Sequence, residues 1–490
     1  MNYFLGVDFG GGASKATLLS EQGRVVATAT MEYPTAHPAP GMAEQNPDDW
    51  YEATCRNVRA VLEKAGVAAR EVAALSLDAA THTAVLCDED FRPLRPAIYW
   101  TDTRSQREVA DLRAAAGERI KALSYHSVDT IWTLPQILWV KRNEEGLFGR
   151  TKRILFAKDY VRHRLTGDYV TDVIEAEGSM LFDMEKGCWS EELCAAAGVD
   201  PAMLPRLCRP RDIVGGVTPA AAADTGLLAG TPVLCGTTDT VMEVFAAGGV
   251  RPGNMTVKLA TAGRICVITE KPFIDRDLVC YSHIEEGLWY PGTATKAAAS
   301  SYRWFRDAFG GTYRELDEAA AAAGVGAGGV LFHPYLNGEL TPYANPRLSG
   351  SFVGVRAGHE KGHFARAVLE GVAFSLRDCL ATVDRLGMQH EGHAVIIGGG
   401  ASSPLWRQIT ADVLGISLVE RENSDSSFGS AMLAGVAAGA FSSPIAALEA
   451  CTAIRSHTTP NEENREAYDK AYRRYRAVAE ALLPLAEADA

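Results

Sequence analysis

FLGVDFGGGASKATL, residues 4–18, reads as an apolar strand, a glycine turn and a second strand. Phe4, Leu5 and Val7 form the apolar run, Asp8 closes it, Gly10, Gly11 and Gly12 follow, and Lys15 opens an alternating stretch through Thr17. A buried strand thus carries a carboxylate to a turn. Glycine has no Cβ, so the turn can take positive φ and approach a ligand closely, with its N–H groups turned toward an anion. A carboxylate facing phosphate oxygens needs a cation between them, and Mg²⁺ accepts a few carboxylates together with phosphate oxygens. The alternative is an ordinary hairpin whose glycines only make the turn.

Outward from this hairpin, Arg24 to Thr30 reads as a third strand and completes an antiparallel meander. Asn46 followed by Pro47, Asp48 and Asp49 marks a helix N-terminus, and the helix should reach Ala65. Val72 to Leu77 is a buried strand ending at Asp78; Thr81-His82-Thr83 follow, then a strand from Ala84 to Cys87. A polar cluster between buried strands is a place to read a ligand. Trp100, Asp102 and Arg104 put an aromatic, an acid and a base on one loop, suited to hydroxyls or to a salt-bridged turn. Residues 105–165 read as mainly helical scaffold. A helix stopped by Gly167 and a strand follow, and Asp172, Glu175 and Glu177 lie close together, facing either a sugar or solvent, with the solvated face the favoured expectation.

A second acid is delivered in the same manner. Val233-Leu234-Cys235 runs into Gly236-Thr237-Thr238-Asp239-Thr240, so Asp239 sits at a strand-to-helix corner, where α/β sheets place ligands. Residues 253–268 repeat strand, small turn and strand, with Thr261-Ala262-Gly263 in the turn, which points to a duplication and a domain boundary near 245–255. His363 to Leu386 has helical apolar periodicity. Ala394 to Ile397 opens onto Gly398-Gly399-Gly400-Ala401-Ser402-Ser403-Pro404 before another helix, a turn suited to a phosphate or a flat base. It lacks GxGxxG spacing, so a dinucleotide fold is not indicated. Residues 461–484 read as a polar terminal helix.

The chain has 490 residues, too many for one core, and 47% of them are hydrophobic. Its 48 basic and 61 acidic residues give a net charge of −13, which disfavours nucleic acid and anionic membrane as partners and favours small ligands. Ten scattered cysteines without CxxC spacing predict reduced, packed thiols and a cytoplasmic protein, with no disulfide framework or zinc site. No run reads as a membrane span or a secretory leader.

Taken together, the two acid-bearing turns, the second hairpin and GGGASSPLW resemble the FGGY carbohydrate kinases. GSFVGVRAGHEKGHFARAVLE (350–370) is similar to the second family signature at Gly350, Phe352, Gly354, Val355, His363, Phe364, Ala367, Val368, Leu369 and Glu370. GMAEQNPDDWY, KDYVRHRLTG, PYLNGELTP and GGGASSPLWRQITADVLG also resemble family segments, so the likeness spans about residues 1–445. The resemblance implies an α/β chain of two actin-like ATPase (ribonuclease H-like) domains with an interdomain cleft. Residues 1–248 would carry the sugar site, the catalytic acid and the first phosphate hairpin, 249–445 would bind ATP, and 446–490 would form a helical extension packed on the second domain.

The implied activity is transfer of the γ-phosphoryl of MgATP to a primary hydroxyl of a ketose. Within the family the chain looks most like the xylulokinases, which points to D-xylulose and xylulose 5-phosphate. Ribulose, fuculose, erythritol or glycerol as acceptor, or a weakly catalytic binding relative, are the alternatives; a homodimer is compatible. By residue, the resemblance makes Asp239 and Asp8 catalytic, with Asp8 holding Mg²⁺. Thr81, His82, Trp100, Asp102, Arg104, Asp239 and Thr240 would bind the sugar. Gly11, Gly12, Ala13, Lys15, Thr261, Gly263, Gly399, Gly400 and Ser403 would bind ATP. The chain departs from the family pattern at Gln136, Ala260, Ala262 and Leu340, and from the xylulokinase pattern at Ala79, Ala80 and Thr240.

Overall fold

Burial of Phe4, Leu5 and Val7, each at most 1% exposed, makes the opening strand β1 (Tyr3–Phe9) the middle of a sheet rather than its edge. The structure is a computed structural model that describes residues 1–488. β2 (Ala13–Ser20) and β3 (Val25–Glu32) complete the antiparallel meander, with Asp8 paired across from Lys15. β4 (Val72–Ala79) adds to β1 in parallel and sets Asp78 beside Asp8. β5 (Val170–Asp172) and β6 (Arg206–Cys208) pair separately, while β7 (Ile213–Gly216), β8 (Pro232–Leu234) and the short β9 (Thr237–Thr238) extend the main sheet. Its order is β7-β8-β4-β1-β2-β3, with β9 also on β4 and Thr237 beside Asp78.

The helix Pro47–Ala65 begins where the sequence places it, with the Asn46 side chain accepting from the Asp48 amide and Gly66 ending it in the left-handed region. Trp50, Val58 and Val61 pack it onto the sheet with Leu5, Val7, Leu75 and Leu77. Ser427 to Gly435, within the helix Ser426–Ala437, are all buried, so this helix must be covered on every side. It crosses β1 at Gly6, where a Cβ would lie 2.0 Å from the Ser427 carbonyl oxygen.

A second sheet stands in order β12-β11-β10-β13-β14-β15, from β10 (Met255–Leu259), β11 (Gly263–Val267), β12 (Gly292–Thr295), β13 (His393–Ile397), β14 (Ser417–Arg421) and β15 (Ile454–Thr458). From the outer meander strand inward, each sheet runs antiparallel, antiparallel, parallel, parallel, antiparallel. The weak likeness between the two hairpins is therefore matched by a shared topology, which is the actin-like plan. The helix Lys361–Arg385 buries Val368, Leu369, Val372, Leu376 and Val383 in the second core.

The chain divides into two compact units, one of Met1–Ala246, Tyr281–Gly287 and Asn423–Thr452, the other of Ala247–Cys280, Leu288–Glu422 and the chain from Ala453. Residues 423–445, expected in the second domain, pack in the first unit, because the all-round apolar helix Ser426–Ala437 needs the cover that β1 and β4 provide. Three local expectations also change. Helical scaffold over 105–165 is interrupted by a strand, Arg153–Phe156, which pairs with Ala84–Cys87. Asp172, Glu175 and Glu177 are buried, at 0%, 1% and 4% exposure, instead of solvated. The terminal helix Arg465–Ala488 is amphipathic: Tyr468 and Tyr475 are fully buried, Tyr475 stacking on His333 at 4.4 Å. The ten cysteines form no disulfide, and among the described residues no helix is long and apolar enough to cross a membrane.

Candidate active site

Four carboxyls of the first unit act on one another at the end of β1. Asp8 is half-buried, with Oδ1 shut off from solvent and without a hydrogen-bond partner. Burial, followed by the charge of Asp239, pushes its carboxyl up to about 7, against hydrogen bonds from Asp78 and Ser426. Asp78 is fully buried, accepts from the Ser430 hydroxyl at 2.5 Å, and is driven well above the usual carboxylate range by burial and by Asp8. Burial and the neighbouring charge thus both favour the protonated form of Asp78. Asp425 also raises Asp8 and pairs with Lys15 at 3.0 Å. Sequence reading treated Asp78 only as a strand end; the parallel register of β4 on β1 is what makes it a neighbour of Asp8.

Such a surplus of carboxyls around a buried oxygen without a donor fits a divalent cation taken through oxygen. Among the described residues no three His, Cys, Asp or Glu side chains form a metal cage.

The glycine turn is open in a way the sequence did not anticipate. None of Gly10, Gly11 and Gly12 takes positive φ. A Cβ at Gly10 or Gly12 would meet nothing within 4 Å, and Gly11 and Gly12 are exposed, so the space beside the turn is open. Tyr33 donates to the Gly10 carbonyl at 2.6 Å, Thr35 to that of Gly11 at 2.6 Å, and the Tyr33 amide to that of Gly12 at 3.1 Å. The carbonyls are tied back on one side of the turn.

Thr81 and His82 are buried at 9% and 6% exposure. His82 takes a φ of 53°, hydrogen-bonds the Ile131 backbone, and has no partner at Nδ1. Burial lowers its pKa to about 3, so the imidazole is neutral. Around it stand Trp132, His126 and Tyr281, which sequence reading missed, together with Glu175 and Glu177. Trp132 lies 4.9 Å from the His82 ring and stacks on His126 at 4.3 Å, and Tyr281 lies 5.1 Å from His126. Glu175 accepts from the His82 amide, and Glu177 accepts from the Ser282 hydroxyl and amide at 2.6 and 2.8 Å. Tyr281 to Gly287 reach this unit from a distant part of the chain, so no local signal could have found them.

Asp102 and Arg104 are occupied with each other. Asp102, 1% exposed, accepts from the Ala43 amide at 2.6 Å and pairs with Arg104 at 2.7 Å; Arg104 also reaches Glu44 at 2.7 Å and lies 4.9 Å over Trp139. The salt-bridged turn is the arrangement present, and Trp100, 40% exposed, is the member of the loop left facing solvent.

Asp239 opens the helix Asp239–Ala246 and is half-buried, accepting from the Thr240 hydroxyl at 3.2 Å. The turn before it rests on buried ions. Lys158 pairs with Asp159 and Asp172 at 2.5 and 2.8 Å, and Arg162 pairs with Asp159 and Asp168 at 2.7 and 3.0 Å. Thr237 donates to Asp172 at 2.7 Å. Burial drives Glu175 well above its usual range, against the pull of the Lys158 charge.

In the second unit the exposed Thr261 has its carbonyl held by the Ala298 amide at 3.0 Å and the Ser300 hydroxyl at 2.7 Å. Gly263 is buried where a Cβ would lie 2.7 Å from Thr295. Gly399 is exposed and open, whereas Gly400 packs against Leu259 and Trp406. Ser403 caps the helix Pro404–Leu414 through the Trp406 amide and donates to Asp317 at 2.7 Å. Of these five, only Thr261 and Gly399 present themselves to solvent.

Residues 3–246 match the model of the FGGY family of carbohydrate kinases, N-terminal domain, and residues 257–438 match that of its C-terminal domain. The xylulose kinase of Bacillus subtilis (strain 168) is 33% identical over 92% of this chain and 90% of its own. The xylulose kinase of Escherichia coli (strain K12) is 33% identical over 98% of this chain and 99% of its own. The crystal structure of xylulose kinase from Rhodospirillum rubrum has a TM-score of 0.91 at 30% identity, covering 99% of this chain and 100% of that one.

Proposed function

Since this chain belongs to the FGGY family of carbohydrate kinases, phosphotransferases acting on sugar, we propose that its acceptor is D-xylulose and its product xylulose 5-phosphate. The supporting observation is the pair of acids, Asp8 and Asp239, coupled electrostatically at the ends of a strand and a strand-helix corner. In the loose transition state of phosphoryl transfer the attacking oxygen gains little charge early, so Asp239 orients the primary hydroxyl and takes its proton late, without needing a raised pKa. The Thr240 hydroxyl on Oδ1 fixes which carboxylate oxygen faces the sugar.

Neutral His82 accepts a sugar hydroxyl at Nδ1, Thr81 stands beside it, and the exposed Trp100 ring covers the apolar edge of the acceptor. Asp102 and Arg104 shape that loop. Asp8 would hold Mg²⁺, with Asp78 beside it fixing its orientation; bound there, Mg²⁺ would neutralise phosphate charge. Lys15 and the N–H groups of Gly11, Gly12 and Ala13 stabilise charge on the phosphoryl oxygens, Lys15 exchanging Asp425 for phosphate. Thr261, Gly263, Gly399, Gly400 and Ser403 form the turns that receive the rest of ATP, with Gly263, Gly400 and Ser403 shaping the backbone.

Ala79, Ala80 and Thr240 favour one second reading, a different ketose or polyol as acceptor. A coupled ADP-release assay with MgATP across pentuloses, hexuloses and polyols separates the two. The highest kcat/KM on D-xylulose supports the proposal; a higher value on another acceptor replaces it.

A further inference from the structure

Two thiols lie together beneath the turn that carries Asp239. Cys208, the last residue of β6, and Cys235, just past β8, share one buried cluster with Val170. The Cys235 segment is tied to the loop that follows Cys208: the Cys235 amide donates to the Asp212 carbonyl at 2.8 Å and the Gly236 amide to that of Pro210 at 3.0 Å. Arg162 Nη1 lies 3.7 Å from Cys235 Sγ, and the ammonium of buried Lys158 adds a second positive charge. Cys208 is 9% exposed and Cys235 fully buried, so an oxidant reaches Cys208 first.

We infer that Cys208 and Cys235 form an oxidation site for hydroperoxides, closing to a disulfide that disables the Asp239 turn. Cys208 is suited to attack because a hydrogen bond from the Cys235 thiol brings it down to about 7, while burial holds Cys235 well above the usual range. The Cys208 thiolate attacks the peroxide, the O–O bond breaks, and Cys208 becomes a sulfenic acid as water or alcohol leaves. The Cys235 sulfur then attacks that sulfur, the S–O bond breaks, and the thiol proton leaves with the hydroxyl as water. Overall the hydroperoxide is reduced by two electrons and the two thiols lose two protons and two electrons. Cys235 stands four residues before Asp239 with Gly236 at a φ of 70° between them, so drawing its sulfur toward β6 displaces the acid.

The test treats the full-length protein with hydrogen peroxide, blocks remaining thiols and digests it without reduction. A peptide pair linking Cys208 to Cys235 is expected, with at least a tenfold loss of kinase turnover that dithiothreitol restores. Cys208→Ser should keep its initial turnover and resist peroxide, Cys235→Ser should accumulate a dimedone-reactive sulfenic acid at Cys208, and Cys188→Ser should remain sensitive. Absence of the linked pair, a link without loss of turnover, or a Cys208→Ser enzyme inactivated as fast as the unaltered one each overturns the inference. The linked peptide is read by mass, independently of which sugar is the acceptor.

Discussion

The guanidinium of Arg162 donates at 2.6 Å to the backbone carbonyl of Cys235, four residues before Asp239. The same nitrogen pairs with Asp159 at 2.7 Å, and both arginine and aspartate are fully buried. A charged network thus grips the main chain of the turn that ends in the acid. Buried ion pairs give little net stability because desolvation offsets their attraction, but they fix geometry when every member is paired.

Removing one member leaves the others uncompensated. Arg162→Leu should destabilise the first unit by about 3–5 kcal/mol. The midpoint of urea unfolding, followed by fluorescence, checks this. An unchanged midpoint would mean that the network is solvated in solution.

Asp239→Asn keeps the shape of the turn and removes the proton acceptor. Its kcat should fall by about 10²–10⁴, the range for a general base, while the Kd for MgATP stays within about threefold. Turnover and nucleotide titration measured on one preparation decide the point; equal loss of both would assign Asp239 to nucleotide binding.

Lys15 and Asp425 are each about one-third exposed, so their pair is screened by solvent and contributes under about 1 kcal/mol to folding. Lys15→Met should therefore leave the unfolding midpoint nearly in place and lower kcat/KM for MgATP by about 10–100-fold, as expected for loss of a charge that faces the phosphoryl oxygens. A large drop in stability with normal kinetics would reverse the assignment.

Folded Glu177 holds its proton up to about 8, through burial first and the charge of Asp172, whereas the unfolded side chain releases it near 4.5. Within that window the folded state binds the extra proton, so this group's contribution to stability is full below 4.5 and is lost as pH rises toward 8. The slope is at most about 1.4 kcal/mol per pH unit. Glu177→Gln should flatten the fall, read as the difference between the two pH–stability curves from pH 5 to 8.

Gly6→Ala should destabilise by about 1–3 kcal/mol or fail to fold, since the new methyl would sit 2.0 Å from the Ser427 carbonyl oxygen and 2.3 Å from the Ala431 nitrogen. A suppressor would have to move the helix Ser426–Ala437 off β1.

The strands carrying Asp8 and Asp239, the capped helix at Asn46 and the turn after Ile397 were all readable from local pattern, because buried strands and caps are specified by adjacent residues. The acidic trio was misread for a complementary reason. Asp172, Glu175 and Glu177 look solvated when only their neighbours in sequence are considered, and their partners Lys158, Thr237, His82 and Ser282 come from four other segments. Asp78 escaped notice likewise, since its importance lies in pairing with Asp8 across 70 positions of chain.

What the sequence determined by itself is the first meander and the second hairpin, the two acids that follow buried strands, the glycine turns and, through its signatures, the family. These are local facts, written in apolar runs and the residues that interrupt them. Tertiary structure alone decided that Asp78 lies beside Asp8, that Lys15 pairs with Asp425, that Ser426–Ala437 returns to cover β1, and that the Asp239 turn rests on Arg162. The physical reason is that the cost of burying a charge is set by whichever distant groups the fold brings to it, and no window of neighbouring residues contains them.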